Sequence, residues 1–400
     1  KESLIMARNR VIYQSEGLYV SKDASLTGAS DHEQIDRVQS ANYSFTINRQ
    51  DINQFGSLAR IDSLVLDPPT VSLDFSYYLT DGFAERSLGF FVETSGAGMN
   101  RGGIGTANVE GNFASGHLVA NSGSNFYIVT SPDGVDLNQT SVTLDGSDTT
   151  IGIGNCYITD YSVELAVGSL PTVNVTVEGS NMTSTLSAAS GSIVSPAINQ
   201  ENGNQFTTSG VQLPPPTRDG GITGQVGHAP ITALRPDDVI VQLGNLQGQS
   251  LVILNGDNGA HIQSASISLP LARTPLDRLG SRFSFAREID FPVVATMNVS
   301  AIVSNASAAN LADLLDSEVK TATVLIKNSS VAIGSTTPTS TQDAIQYTMK
   351  GLKIDSQSFS SSIGSNKTVD ITFSTQIGGL NDTENGIFMS GINGIVPVFD

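Results

Sequence analysis

The sequence has one cysteine, no tryptophan and few charged residues among its 400 positions. A single cysteine cannot form an internal disulfide, so a disulfide-stapled secreted module is not expected. Cys156 lies in the apolar run CYITDYSVELAV, where we expect a small buried side chain. No run approaches the ~18 consecutive apolar residues of a membrane-spanning helix, so no membrane partner is predicted.

Basic residues are scarce, because 20 lysines and arginines stand against 38 acidic residues and the net charge is -18. Such a chain is not expected to bind nucleic acid through its phosphates. Charged residues make up only 14%, while Ser, Thr, Asn, Gly and Val are abundant, a composition that favours short strands over surface helices. We therefore predict an all-β class in a chain long enough for two domains.

The usual motifs of catalysis and ligand binding are missing, so no enzyme activity, no cofactor and no catalytic or metal site is predicted. There is no G-x-S-x-G elbow, and Gly96-Ala97-Gly98 lacks the third glycine of a dinucleotide loop. The run from Asp133 to Asn138 lacks the distal Glu of a calcium loop and is interpreted as a turn. Four histidines are scattered without metal-ligand spacing: His32, His117, His228 and His261.

The chain contains an internal repeat. VQSANYSFTINRQDINQFGS, from Val38, aligns without a gap on IQSASISLPLARTPLDRLGS, from Ile262, at an offset of 224. TDYSVELAVGSLPTVNVTVE aligns on DSQSFSSSIGSNKTVDITFS at an offset of 196. The first copy thus has about 28 extra residues, placed in the Gly/Ser/Asn-rich stretch 95–125, where a loop insertion costs least. The repeat predicts two tandem copies of one domain.

Alternation of apolar and polar residues predicts half-buried antiparallel strands at 71–77, 161–165 and 173–178. Hairpins are predicted at 168–171 and 364–367, and a tight turn at 255–259. Ser307, followed by AANLADLLDSE, predicts one short helix in the second unit, and FAERSLGFF is its counterpart in the first.

The predicted boundaries follow the repeat and the proline content. Residues 1–182 form the first domain with an N-terminal arm, and 183–238 a Pro/Gly-rich extended linker. Residues 239–376 form the second domain, and 377–400 a C-terminal extension.

Three segments resemble the major tail tube proteins of long-tailed, siphovirus-type bacteriophages: RVQSANYSFTINRQDINQFG, PPTVSLDFSYYLTDG and NCYITDYSVELAVGSLPTVNVTVEG, which span most of 37–180. The second copy is similar more loosely, since Val293 replaces Pro69 and Leu352 replaces Cys156. The resemblance implies tandem β-sandwich or barrel domains, each of two packed antiparallel sheets and a helix. In that family six domains form a ring whose inner strands make a continuous barrel.

Two domains per chain then predict a homotrimeric, pseudo-hexameric ring, and stacked rings predict a tube that conducts DNA during genome ejection. The partners implied are further copies of the chain, the tape measure protein, the tail terminator and distal tail or baseplate proteins. Double-stranded DNA is expected to pass without specific binding. The expected location is the virion, after synthesis in the host bacterial cytoplasm.

An acidic wall would let DNA slide, provided that its carboxylates face the lumen, because screening limits repulsion to roughly 8 Å. The candidates on polar strand faces are Asp74, Glu164, Glu178 and Asp370, and the alternative is that they face outer solvent. Candidates for loops between subunits occupy equal places in the two copies: Arg49, Gly56, Arg273 and Gly280. We expect the two arginines to anchor these loops by ion pairs, or else to be solvated.

Two other functions stay open. The first is a baseplate hub or distal tail protein of the same fold. The second is a surface carbohydrate-binding or hydrolytic β-module, which would be expected to show clustered aromatics and paired carboxylates.

Overall fold

The computed structural model describes residues 15–94, 111–215, 234–244, 260–303, 320–327 and 343–391. Within these ranges it leaves out 22, 120–122, 133–134, 136, 138–143, 200–201, 206–208, 235, 237–238, 362–365 and 380–381.

The predicted all-β class is confirmed, since the described elements are strands with two short helices and one 3-10 helix. The helices are α1 (Phe83–Ser87), α2 (Ser115–Val119) and the 3-10 helix Ala29–Asp31. The first strands are β1 (Glu16–Ser21), β2 (His32–Ile35), β3 (Val38–Thr46), β4 (Arg49–Ile52), β5 (Asp62–Val65), β6 (Thr70–Tyr78), β7 (Glu93–Thr94), β8 (Ser124–Thr130), β9 (Thr149–Ala166), β10 (Thr172–Gly179) and β11 (Asn181–Thr185). The remaining strands are β12 (Val239–Gly244), β13 (Ala260–Pro270), β14 (Arg273–Leu276), β15 (Ala286–Ile289), β16 (Val294–Val303), β17 (Lys320–Lys327), β18 (Asp343–Ser360), β19 (Thr368–Gln376) and β20 (Gly386–Gly391).

Eight strands form one continuous antiparallel layer, here called the shared sheet, in the order β18-β19-β16-β13-β9-β10-β6-β3. The first four belong to the second half of the chain and the last four to the first half. The two long strands, β9 and β18, leave this layer through their N-terminal parts and join further strands there. β8 and β11 pair with β9, whereas β17 and β20 pair with β18.

The shared sheet is apolar on one face and polar on the other, because successive side chains of a strand point to opposite faces. Burial alternates residue by residue along β6 and β10, so the predicted strands at 71–77 and 173–178 are confirmed. The apolar face packs against the strands that pair with the N-terminal parts of β9 and β18. One hydrophobic cluster there includes Leu73, Phe75, Met297 and Phe373. Each such side chain contributes roughly 1.5–3 kcal/mol by burial.

The two halves are in contact beyond the shared sheet. β7 pairs in parallel with β20, and the amide of Phe113 donates to the carbonyl of Ile387 at 2.8 Å. The core is therefore continuous between the halves.

The strand pairings of the first half recur in the second at the offsets of the sequence repeat. β3 pairs with β6 as β13 pairs with β16, with the register shift after Val38 in one and after Ile262 in the other. β9 pairs with β10 as β18 pairs with β19, and both pairs have a bulge at the equivalent place. Residues 224 or 196 positions apart thus occupy the same place in the two pairing patterns.

Several predicted local features, namely hairpins, helices and the buried cysteine, can be compared with the structure. Residues 168–171 join β9 to β10, α1 lies within FAERSLGFF, and Cys156 is buried, as predicted. The predicted helix after Ser307, the turn at 255–259 and residues 364–365 of the predicted hairpin lie outside the described residues, as do 95–110 of the predicted insertion.

The predicted boundaries are not tested as such, but two segments show contacts of their own. From 183 to 213 the chain forms β11 and then packs against the first half, where Ala188, Ile193 and Val211 join a cluster with Tyr19 and Tyr127. β20 lies in the predicted C-terminal extension and is a paired strand.

Neither of the helices that the structure describes is long and apolar enough to cross a membrane.

Candidate functional surface

The polar face of the shared sheet is lined mainly by serine, threonine, asparagine and carboxylate side chains. Directly paired residues lie on the same face, so the pairings trace rows across it. One row runs through Asn42, Asp74, Thr176 and Asp160. Ser40 and Ser76 hydrogen-bond across two neighbouring strands of this face at 2.7 Å.

The four predicted lumen residues, Asp74, Glu164, Glu178 and Asp370, all lie on this polar face. Asp74, Glu164 and Asp370 are exposed. Glu178 differs, because its Oε1 lies 3.0 Å from Nη1 of Arg287 and its side chain is 35% exposed. Its charge is thus partly neutralised within the chain.

A fifth carboxylate, Asp160, belongs to the same face, and partial burial raises its pKa. Asp160 was not among the predicted lumen residues, although its spacing from Ser162 and Glu164 could have identified it. Among the described residues that these pairings place on the face, the only lysine or arginine is Lys353, which lies opposite Ser374. The face is therefore acidic.

The carboxylates are distributed unevenly between the halves. Asp74, Asp160, Glu164 and Glu178 belong to the first half, and their equivalents in the second half are Asn298, Ser356, Ser360 and Ser374. Asp370 is the carboxylate of the second half, and its equivalent is Asn174. Negative charge is concentrated on the first half of the face.

The shared sheet ends in two edges. At one end β3 pairs with β6, and no described strand pairs along its other edge. At the other end, residues 356–360 of β18 pair with β19, and no strand within the described ranges pairs with them on the opposite side. Unpaired edges of this length invite association with another strand.

Halfway between these edges, β13 pairs with β9 and joins the two halves. Ile267 lies opposite Val163 and Leu269 opposite Tyr161. All four side chains are at most 1% exposed. This joint therefore combines backbone hydrogen bonds with a dry apolar contact.

Two hairpins project from the sheet, one formed by β4 and β5 and one by β14 and β15. Their tips carry fully exposed apolar side chains, Phe55 and Leu58 in the first and Leu279 in the second. Gly56 and Gly280 have φ of 89° and 86°, in the left-handed region that favours glycine. Contiguous apolar groups at such exposure are typical of an interaction site.

Both hairpins border one groove of ≈ 920 Å³. Its walls are the base of the first hairpin, including Ile47 and Val65, and the tip of the second, including Leu279 and Phe283. The two hairpins therefore project from the same side of the chain.

The two predicted loop arginines are in different environments. Arg273 donates to the carbonyls of His117 and Arg287, and its guanidinium lies 4.7 Å from the ring centroid of Tyr157. Burial lowers the pKa of Arg273, yet the group stays a cation at any ordinary pH. Arg273 thus ties the second hairpin to the first half through carbonyls and an aromatic ring. Arg49 is exposed.

Arg287 completes this attachment. Only 6% of its side chain is exposed, and it pairs with Glu178 while its guanidinium lies 5.9 Å from the ring centroid of Tyr157. We call Arg273, Arg287, Tyr157 and Glu178 the arginine clamp. The roles of Arg287 and Tyr157 were not predicted from the sequence, because the clamp joins segments far apart along the chain.

A buried polar cluster lies where the halves meet. Oε1 of Glu85 accepts from the hydroxyls of Tyr77 at 2.8 Å and Tyr161 at 3.3 Å. The hydroxyls of Tyr161 and Tyr347 lie 2.8 Å apart. Glu85 is 1% exposed, and burial raises its pKa to about 7, with the Asp81 carboxylate adding to the shift. A group this inaccessible cannot act on a substrate, and it is the bond between Tyr161 and Tyr347 that joins the halves here.

Among the described residues, no group of three or more His, Cys, Asp or Glu side chains could hold a metal ion. The described residues together present an acidic face, two edges of the shared sheet that no described strand covers and two apolar hairpins, which suits assembly with other chains.

Comparison with protein-family models and with curated proteins found no match for this chain.

Proposed function

We propose that the chain is the subunit of the tail tube of a long-tailed bacterial virus. In this proposal two tandem domains of one kind form each chain, three chains close into a ring, and stacked rings enclose a channel for DNA. One observation carries it. The two edge strands of the shared sheet, β3 and the C-terminal part of β18, are the repeat equivalents of β13 and β9, which already pair within the chain.

A surface that pairs with a different surface on the next copy makes a head-to-tail contact, and such a contact closes into a ring when the rotation fits. The joint between β13 and β9 supports this, because it joins one half to an equivalent half side by side. Eight strands from each of three chains would make a barrel of about 24 strands. At about 4.8 Å per strand its diameter between backbones is about 37 Å, and strand tilt widens it.

The acidic face supports the interior of such a barrel as a path for DNA. Phosphates bind to lysine and arginine, whereas this face offers carboxylates, hydroxyls and amides. Lys353 is the only lysine or arginine among the described residues that the pairings place on it. Repulsion over roughly 8 Å keeps DNA from adhering to the wall.

The hairpins support stacking. They project from one side of the chain and expose Phe55, Leu58 and Leu279. Burial of these side chains against the opposite side of the next ring would be a contact that does not close, so rings add without limit until other proteins end the tube.

Negative-stain electron microscopy of the purified full-length chain tests the proposal. We expect hollow filaments whose channel fills with stain. Phe55→Asp should give rings or short stacks, because a charge at the hairpin tip opposes its burial. Leu186→Asp is the matched control, since Leu186 is 84% exposed but lies outside the hairpins and edges. Compact particles at all concentrations, especially with glycan binding, would contradict the tube.

A further inference from the structure

The joint inside the chain provides a template for a joint between chains. At the inner joint, Ile267 faces Val163 and Ser268 faces Ser162. The equivalents of these residues at the free edges follow from the matching registers. They are Tyr43 for Ile267, Phe359 for Val163, Ser44 for Ser268 and Ser358 for Ser162.

These equivalents are exposed where their counterparts are buried. Tyr43 is 36% and Phe359 is 42% exposed, against 1% for Ile267 and 0% for Val163. Phe45, the equivalent of the buried Leu269, is 57% exposed. Each edge thus presents aromatic groups on the face that is dry at the inner joint.

We propose that β3 of one copy pairs antiparallel with residues 356–360 of β18 of a second copy, with Tyr43 opposite Phe359 and Ser44 opposite Ser358. This inference rests on the proposed function and adds the residues and register of the contact. A slip of one residue would turn every aromatic group of one edge onto the polar face. The aromatic residues therefore exclude slips by an odd number of residues, and the pairing at the inner joint supplies the register.

The joint between chains has a different chemistry from the inner joint, because it lacks the arginine clamp. The equivalents of Arg273 and Arg287 are Arg49 and Ser63, while Lys353 stands in place of Tyr157. Ser374 is the equivalent of Glu178. At the joint between chains, Arg49 and Lys353 thus take the places of Arg273 and the ring of Tyr157. Strand pairing and the aromatic residues must hold this contact, which makes Tyr43 and Phe359 its anchors.

Cysteine cross-linking of the full-length chain tests the register. Directly opposed positions have Cα atoms about 4.5–5.5 Å apart, within the range of a disulfide, whereas diagonal positions lie about 7–8 Å apart. The double variant Ser44→Cys with Ser358→Cys should form covalent dimers and trimers under oxidation. The matched control, Ser44→Cys with Ser360→Cys, should cross-link poorly. The native Cys156 is buried and does not interfere.

The outcomes distinguish failure of this joint or its register from failure of the proposed tube. Filaments in which only the control pair links, or neither pair links, overturn the register and leave the tube standing. Opposed-pair trimers without filaments support the joint and contradict the tube. Absence of every cross-linked species overturns the joint.

The anchors are tested separately. Tyr43→Ser or Phe359→Ser should lower cross-linked product of the opposed pair about tenfold or more, as truncation of an interface hot spot does. The control Leu186→Ser should leave the yield unchanged. Circular dichroism checks that each variant is folded. Unchanged yield in both edge variants would overturn the anchoring role.

Discussion

The buried carboxyl of Glu85 makes the stability of the chain depend on pH. Its folded pKa is about 7, against an ordinary value of 4.5, because burial disfavours the charged form. Between these values the folded state keeps a proton that the unfolded state has lost. The free energy of unfolding therefore falls as pH rises from 4.5 to 7. The full effect is about 3 kcal/mol, at 1.36 kcal/mol for each pH unit.

Glu85→Gln is the perturbation, because the amide oxygen can still accept from the hydroxyls of Tyr77 and Tyr161 but carries no charge. Urea unfolding, followed by circular dichroism at pH 4.5, 6, 7 and 8, gives the free energy of unfolding of both proteins. We expect the variant to be near wild type at pH 4.5. By pH 8 it should be the more stable by about 3 kcal/mol.

The difference between the free energies of unfolding of the two proteins at each pH cancels the titration of all other groups. Glu164→Gln is the matched control, which removes an exposed carboxylate on the polar face. A difference between Glu85→Gln and wild type that is flat from pH 4.5 to 8 would refute the reasoning. It would mean that water or a cation reaches the carboxylate of Glu85.

Three further predictions concern other parts of the chain. Arg287→Ala should destabilise by about 1–3 kcal/mol in urea unfolding, because it removes a charge-assisted bond to Glu178, and an unchanged midpoint would refute the clamp. Cys156 should resist a thiol reagent in the native protein and react on unfolding, because burial raises its pKa and blocks access. Gly56→Ala should cost about 1–2 kcal/mol through its positive φ alone, since no atom lies within 4 Å of the added Cβ.

The placement of the acidic side chains could be predicted because alternation in a strand is a local property. Asp74 and Glu164 were assigned to the polar face from the sequence around them. Asp160 could have been assigned in the same way. The ion pair of Glu178 could not, because its partner Arg287 is 109 positions away along the chain and reaches it only through the folded hairpin.

By itself the sequence determined the all-β class, the faces of its strands and, through the repeat, which residues are equivalent. These follow from period-two alternation and from aligned letters, which need no knowledge of packing. Only the tertiary structure decided that β13 joins β9, that the arginine clamp fastens this joint and that Glu85 lies among three tyrosine hydroxyls. Such contacts depend on how separate layers meet in space, and no local pattern records that.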